Sequence, residues 1–121
     1  MMRFSSAQRL RRQNDFRAVR AQGRRVDCGA FTLWWRSDQA AGGHPVRARL
    51  GVVAYTAAVG PATRRNAARR RLREVFRRHQ EMVPAGVDLL LVARAAVNRL
   101  DFREVEQRFV EACRRLAASE K

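Results

Sequence analysis

Eight of the sixteen residues from Arg64 to His79 are arginine and one, Glu74, is an acid, so the stretch RRNAARRRLREVFRRH carries a local charge of +7. Guanidinium groups at this density suit a polyanion, because each can neutralise a phosphate and can do so through two parallel hydrogen bonds. Asn66 sits within the row, and its amide adds directional bonds to phosphate, sugar or base edges. Other side-chain chemistry is thinly supplied. Cys28 and Cys113 are far apart with no CxxC partner, and His44 and His79 are isolated, so neither a zinc site nor a disulfide framework is expected; both cysteines read as small buried hydrophobes. The acids are scattered, several among arginines or at helix starts. No paired carboxylates, nucleophile with a base, phosphate-cradling loop or metal cluster assembles from the spacing.

The arginines need a helix to present them. Gly60-Pro61 marks its beginning, with Pro in the first helical position, and no further Gly or Pro occurs until Pro84. At roughly 100° per residue, Ala68, Leu72, Val75, Phe76 and His79 fall on one stripe, the expected buried face. Asn66, Arg69, Arg70, Arg73 and Arg77 form one polar flank. Arg64, Arg71 and Arg78 form the other, with Glu74 near the boundary. A solvated arginine face is the plainer reading. Against it, like charges at i,i+4 (Arg69 with Arg73, Arg73 with Arg77) destabilise an isolated helix and suggest a compensating partner.

The whole chain has 121 residues and a formal net charge of +15, the size of one domain and the charge of a nucleic-acid binder; 25 of its 26 basic residues are Arg. A single RNA-binding domain over 1–121 is expected, with 1–8 and 119–121 flexible. Arg9, Leu10, Arg11 and Arg12 make an extended basic lead-in. Asn14-Asp15, Phe16, Val19 and Gly23 then predict a short amphipathic helix from about Asp15 to Ala21. From Val26 to Arg36 the period changes to two, placing Phe31, Leu33 and Trp35 on one face and Thr32, Trp34 and Arg36 on the other. Adjacent tryptophans cannot share a core. One should face a helix layer or a groove where its ring can stack on a base; Trp34 in the core with Trp35 partly exposed is the other arrangement.

Ser37–Pro45 reads as a hairpin loop and Val46–Tyr55 as a further strand whose Gly51 suggests a bulge or a close backbone approach. Val87–Ala93, a continuous apolar run, predicts a central strand. Asp101 with Glu104 makes a capping-box-like start to a packing helix that reaches about Ala118, with Phe102, Val105, Phe109, Ala112, Cys113 and Leu116 at threes and fours. Helix, two or three strands, helix, strand, helix describes a single-domain α+β sandwich with a mixed sheet. No stretch reaches the roughly 18 apolar residues of a membrane span or the pattern of a signal peptide, so a cytoplasmic protein with no membrane partner is expected.

Two separate segments resemble the bacterial ribonuclease P protein subunit. Arg65, Asn66, Arg69, Arg70, Arg73 and Glu74 match its signature R-N-R-x-K-R-x-x-R-E, and Arg9, Leu10, Asp15, Phe16, Val19 and Gly23 match its opening at the family's spacing. Val46–Tyr55 is similar to its R-V-G-L-S-V-S-K-K strand, with one more residue before Gly60. Ala67 stands where the signature has its second Arg, and Ala57-Ala58 where a Lys pair precedes the helix. The resemblance implies an α-β-β-β-α-β-α order with a left-handed crossover through the basic helix. It also implies a division of labour, in which an RNA subunit with bound Mg2+ carries out the endonucleolytic removal of the 5′ leader of precursor tRNA. The protein, holding no cofactor and no catalytic residue, binds that RNA and the leader.

The residues implied for RNA binding are Arg64, Arg65, Asn66, Arg69, Arg70, Arg73 and Arg77 on the helix, Phe16 and Trp34 lining a cleft beside it, and Arg9, Arg11 and Arg12 in the lead-in. A ribosomal or other structural RNA-binding protein would fit the charge and size equally. A DNA reader would need a short two-helix unit or a dimer seam, which the sequence lacks, so DNA is not an expected partner.

Overall fold

The computed structural model describes residues 13–37, 48–84 and 86–119. In chain order these form α1 (Gln13–Gln22), β1 (Arg24–Asp27), β2 (Phe31–Ser37), β3 (Arg49–Val53), α2 (Thr56–Val59), α3 (Ala62–His79), a 3-10 turn (Gln80–Met82), β4 (Val87–Ala93), α4 (Ala96–Arg99) and α5 (Phe102–Ser119). The lead-in with Arg9, Arg11 and Arg12, both expected flexible ends apart from Ser119, and most of the expected loop Ser37–Pro45 lie outside the described residues.

The four strands make one mixed sheet in the order β1-β2-β4-β3, with β3 and β4 parallel and the other pairs antiparallel. Because side chains alternate along a strand, each strand divides its residues between the two faces. Leu33 and Trp35 of β2, Leu50 of β3, and Leu89 and Leu91 of β4 meet Ala68, Leu72, Val75 and Phe76 of α3 and Val105, Phe109, Ala112 and Cys113 of α5 in the main core. On the opposite face Leu90 packs with Val19 of α1, bordered by Phe16, Trp34, Val53 and Val92. β4 is thus covered on both faces, as its unbroken apolar run requires.

Several expectations are corrected. The strand foreseen from Val26 to Arg36 is two strands joined by a tight turn: Asp27 Oδ1 accepts the Gly29 N–H at 2.9 Å, Cys28 N–H bonds Phe31 O at 2.9 Å, and Gly29 takes φ +78°, where side chains are strained. The true hairpin is therefore β1–β2. Residues 37–45 do not close one, since β4 lies between β2 and β3. The β3–β4 register runs unbroken through Gly51, with no bulge, and the strand ends at Val53 rather than Tyr55. Between Val53 and Gly60 the chain makes the single turn of α2, Thr56–Val59. Pro61 caps α3 instead of opening it. His79 leaves the expected buried stripe: its imidazole needs a polar partner that the core cannot offer, and Nε2 lies 2.9 Å from Glu106 Oε2 of α5.

Both cysteines are free and buried, as expected. Loss of hydration disfavours the thiolate, pushing Cys28 up to about 11 and Cys113 up to about 12. In the native protein both thiols should react with a thiol reagent at pH 8 far more slowly than in the unfolded chain. Their neutral form favours the fold fully below an unfolded thiol pKa near 9.0, and that contribution declines as pH rises toward 11 and 12. Fast labelling of the native protein would contradict both statements.

Candidate nucleic-acid interface

α3 buries its apolar stripe against the sheet, which leaves its two arginine flanks in different surroundings. Arg71 and Arg78, on the flank toward α4 and α5, are used within the fold. Arg71 Nη2 donates to Leu100 O at 2.6 Å, and the two guanidiniums lie over the Phe102 ring at 5.7 and 4.9 Å. Arg78 also reaches Glu106 at 3.6 Å. The carbonyl of Arg64 accepts from Asn98 Nδ2 at 2.9 Å, fastening α4 to the beginning of α3.

The flank carrying Asn66 faces away from α5. Arg69 Nη2 donates to Asn66 Oδ1 at 2.5 Å, so the amide orients its neighbour one turn on. Arg70 is exposed and makes no hydrogen bond or ion pair among the described residues, whereas Arg73 is half-buried. Arg65 is half-buried, and its Nε, enclosed by the fold, has no hydrogen-bond partner among the described residues.

Glu74 is the only acid on the helix, and Arg77 grips it with two bonds of 2.6 and 3.0 Å while Arg78 Nε lies 3.4 Å away. The hydrogen bonds from Arg77 foremost, opposed in part by desolvation, hold its carboxyl below the ordinary carboxylate range. A lowered pKa contributes stability above the unfolded value and loses it as pH falls through the folded one. Glu74→Gln is thus expected to lower stability slightly at neutral pH and leave it nearly unchanged at pH 3, which flattens the acid limb of a stability-versus-pH curve below about pH 4.5. An equal loss at pH 7 and pH 3 would show that Glu74 acts through packing instead.

Phe16 and Trp34 come together on the α1 face of the sheet, both half-buried around Val19 and Leu90. Trp35 points the other way and is only 1% exposed. The alternation of β2 therefore settles which tryptophan is core. Arg25, cross-strand neighbour of Trp34, lies 6.0 Å from its ring centroid, and Arg17 and Arg20 of α1 are exposed nearby in sequence. Arg25 thus brings a positive charge directly against the aromatic pair.

The candidate residues do not form a single cluster. Phe16 and Trp34 lie on one face of the sheet, and the signature arginines ride on a helix packed against the other. What joins them is the β3 edge. α5 reaches across to β1, where Arg24 Nη2 donates to Leu116 O at 3.1 Å, while α3 packs on β3 and β4, so the Asn66 flank overhangs the β3 side. Tyr55 and Arg20 at this edge, like Arg25, were missed from sequence, although an aromatic two residues beyond Val53 in an alternating strand was a usable signal. A groove of about 1150 Å³ lies elsewhere, between the β1–β2 turn and α5 near His79 and Arg108, and includes none of the candidate RNA-binding residues.

Among the described residues no three His, Cys, Asp or Glu side chains converge where a metal ion could be held, and no helix is long and apolar enough to cross a membrane.

Comparison with known proteins agrees with this geometry. The family model described as Ribonuclease P matches residues 4–117. The ribonuclease P protein component of Desulfovibrio desulfuricans is 34% identical over 111 residues, covering 90% of this chain and 82% of that protein. That of Thermotoga maritima is 29% identical over 117 residues, covering 93% and 95%. The solved RNase P protein from Thermotoga maritima superposes with a TM-score of 0.73 at 31% identity, over 88% of this chain and 96% of that one. The Staphylococcus aureus RNase P protein, at 22% identity, shares the fold with a TM-score of 0.74 over 93% and 96%. With its signature arginines on α3 and a match along nearly its whole length, the chain belongs to the ribonuclease P protein family.

Proposed function

We propose that the chain serves as the RNA-binding subunit of a ribonuclease P ribonucleoprotein. The Asn66 flank of α3 holds the catalytic RNA, and the α1 face takes the single-stranded 5′ leader of precursor tRNA by stacking on Phe16 and Trp34. The observation that carries this reading is the pairing of two half-open aromatic rings with Arg25 over one of them, on a surface one sheet-thickness from an arginine helix. Stacked bases contribute about 1–3 kcal/mol each and tolerate any sequence, as a leader shared by many tRNAs requires. The arginines contribute through phosphate neutralisation, which is salt-dependent.

Hydrolysis, and the magnesium it needs, belong in this proposal to the RNA partner. Glu74 is held by Arg77 and Arg78, Asp88 by Arg49 through two bonds of 2.8 Å, and Glu106 lies against His79 and Arg78; carboxylates so engaged are poor general bases. The purified protein is expected to restore precursor-tRNA cleavage by a bacterial ribonuclease P RNA at low magnesium. Alone, it should remove no leader. Specific cleavage by carefully RNA-free protein, or no effect on the RNA's activity, would sink the reading.

A further inference from the structure

Tyr55 is the one tyrosine of the chain and, among the described residues, the large apolar side chain most open to solvent, 48% exposed. A single exposed ring needs no explanation on its own. Its surroundings do. Arg20 Nη2 donates to Tyr55 Oη at 2.7 Å, and the same guanidinium lies over the ring, 5.8 Å from its centroid. The ring is thus held in one orientation by a contact from α1 while about half of it stays open.

Its position follows from the strand. Tyr55 keeps extended backbone (φ −82°, ψ 145°), so the alternation of β3 carries through it: Ala54 enters the main core and Tyr55 turns with Val53 toward the α1 face. Arg20 stands one helical turn beyond Phe16 on α1. The pair therefore adjoins the border formed by Phe16, Trp34 and Val53, at the edge strand whose continuation through α2 leads into the arginine helix.

We propose that Tyr55 and Arg20 form a further nucleotide-binding position, which extends the aromatic cleft round the β3 edge toward α3 and takes a base of single-stranded RNA on the open part of the ring. Arg20 uses one donor on the phenol and has others for the adjoining phosphate. The Phe16–Trp34 cleft and the arginine helix then follow one continuous strand rather than two separate ones. This rests on the leader-binding role proposed above.

The test uses the holoenzyme reconstituted from the full chain and a ribonuclease P RNA, with precursor tRNAs carrying one 5-iodouridine walked through the leader. The unmodified holoenzyme should first prefer precursor over mature tRNA. If it does not, the leader-binding role fails and this position fails with it. Given that preference, at least one leader position should crosslink to Tyr55, and Tyr55→Ala should weaken precursor binding about five- to a hundredfold, the range for removing one stacked base, with mature tRNA unchanged. Tyr55→Phe keeps the ring and should remain within about twofold of wild type. Crosslinks confined to other residues, or equal losses for precursor and mature tRNA, would overturn the position alone and leave Tyr55 as a fastener between α1 and the β3 edge. Should Tyr55→Ala lower the thermal midpoint severely, the crosslinking of the unmodified protein decides.

Discussion

Replacing Arg69, Arg70 and Arg73 together with Ala is expected to weaken assembly with the catalytic RNA about a hundredfold or more, taking about 1–1.5 kcal/mol for each charge-assisted hydrogen bond to phosphate that disappears. The slope of log affinity against log salt should flatten by about 2–3, because each neutralised phosphate contributes just under one. Any cost to the fold should come mainly from half-buried Arg73. Arg70 is exposed with no polar partner among the described residues, and Arg69 bonds to Asn66 on the same helix.

The opposite flank looks like a matched control on a helical projection, but the fold makes it unsuitable. Arg71 and Arg78 hold Leu100, Phe102 and Glu106, so Arg64/Arg71/Arg78→Ala should cost about 2–4 kcal/mol of stability through one part-buried charge-assisted bond and two cation–π contacts. A cleaner control removes three exposed charges from α4 and α5, Arg99, Arg103 and Arg114. A non-specific polyelectrolyte contact would respond alike to both sets. If salt titrations of the two triple variants coincide, α3 is a basic rod and the shaped-surface argument fails, whatever the family.

The two flanks also mark how far the sequence could be read. Periodicity located the buried stripe of α3 because Ala68, Leu72, Val75 and Phe76 face a sheet that extends under much of the helix, and local pattern suffices wherever one partner surface is continuous. It could not say which flank would lie against α5, since that depends on where a segment some thirty residues later packs. The hairpin error has the same root. Loop composition predicted a reversal after β2, but whether β3 or β4 becomes its neighbour is decided by long-range pairing, and β4, apolar enough to be covered twice, takes the central place. The missed turn at Cys28–Ala30 is different, because its signal was present: Asp27 two residues before Gly29 is a turn-forming arrangement, overridden by a period-two pattern that ran on through it. Trp34, Phe16 and the arginines were found by residue chemistry and family spacing. Tyr55 and Arg20 belong to elements far apart in sequence and become visible as a pair only once α1 lies on the sheet.

The adjacent tryptophans allow the cleft and the core to be separated within one dipeptide. Trp35→Ala removes the largest fully buried side chain, from between β2 and the α3–α5 layer, and is expected to destabilise the protein by about 3–5 kcal/mol, enough to unfold a marginal domain of this size. Trp34→Ala deletes a ring of the same size that is half-open on the other face, so its cost to the fold should be smaller, about 1–2 kcal/mol for the area it buries beside Val19 and Leu90. Its cost to binding should be larger. Loss of one stacked base predicts precursor tRNA binding weaker by about 1–3 kcal/mol, with mature tRNA, which lacks the leader, almost unaffected. Phe16→Ala should follow Trp34→Ala in this respect, and Trp34→Phe should restore most of the binding, since stacking asks for a ring face rather than an indole N–H. The decisive measurement is a pair of numbers for each variant, a denaturation midpoint and a ratio of precursor to mature affinity. Trp35 variants are expected to move the first and Trp34 variants the second. Should Trp34→Ala shift the midpoint as far as Trp35→Ala while the affinity ratio stays fixed, the α1 face is a second core rather than a cleft, and the leader must be held elsewhere.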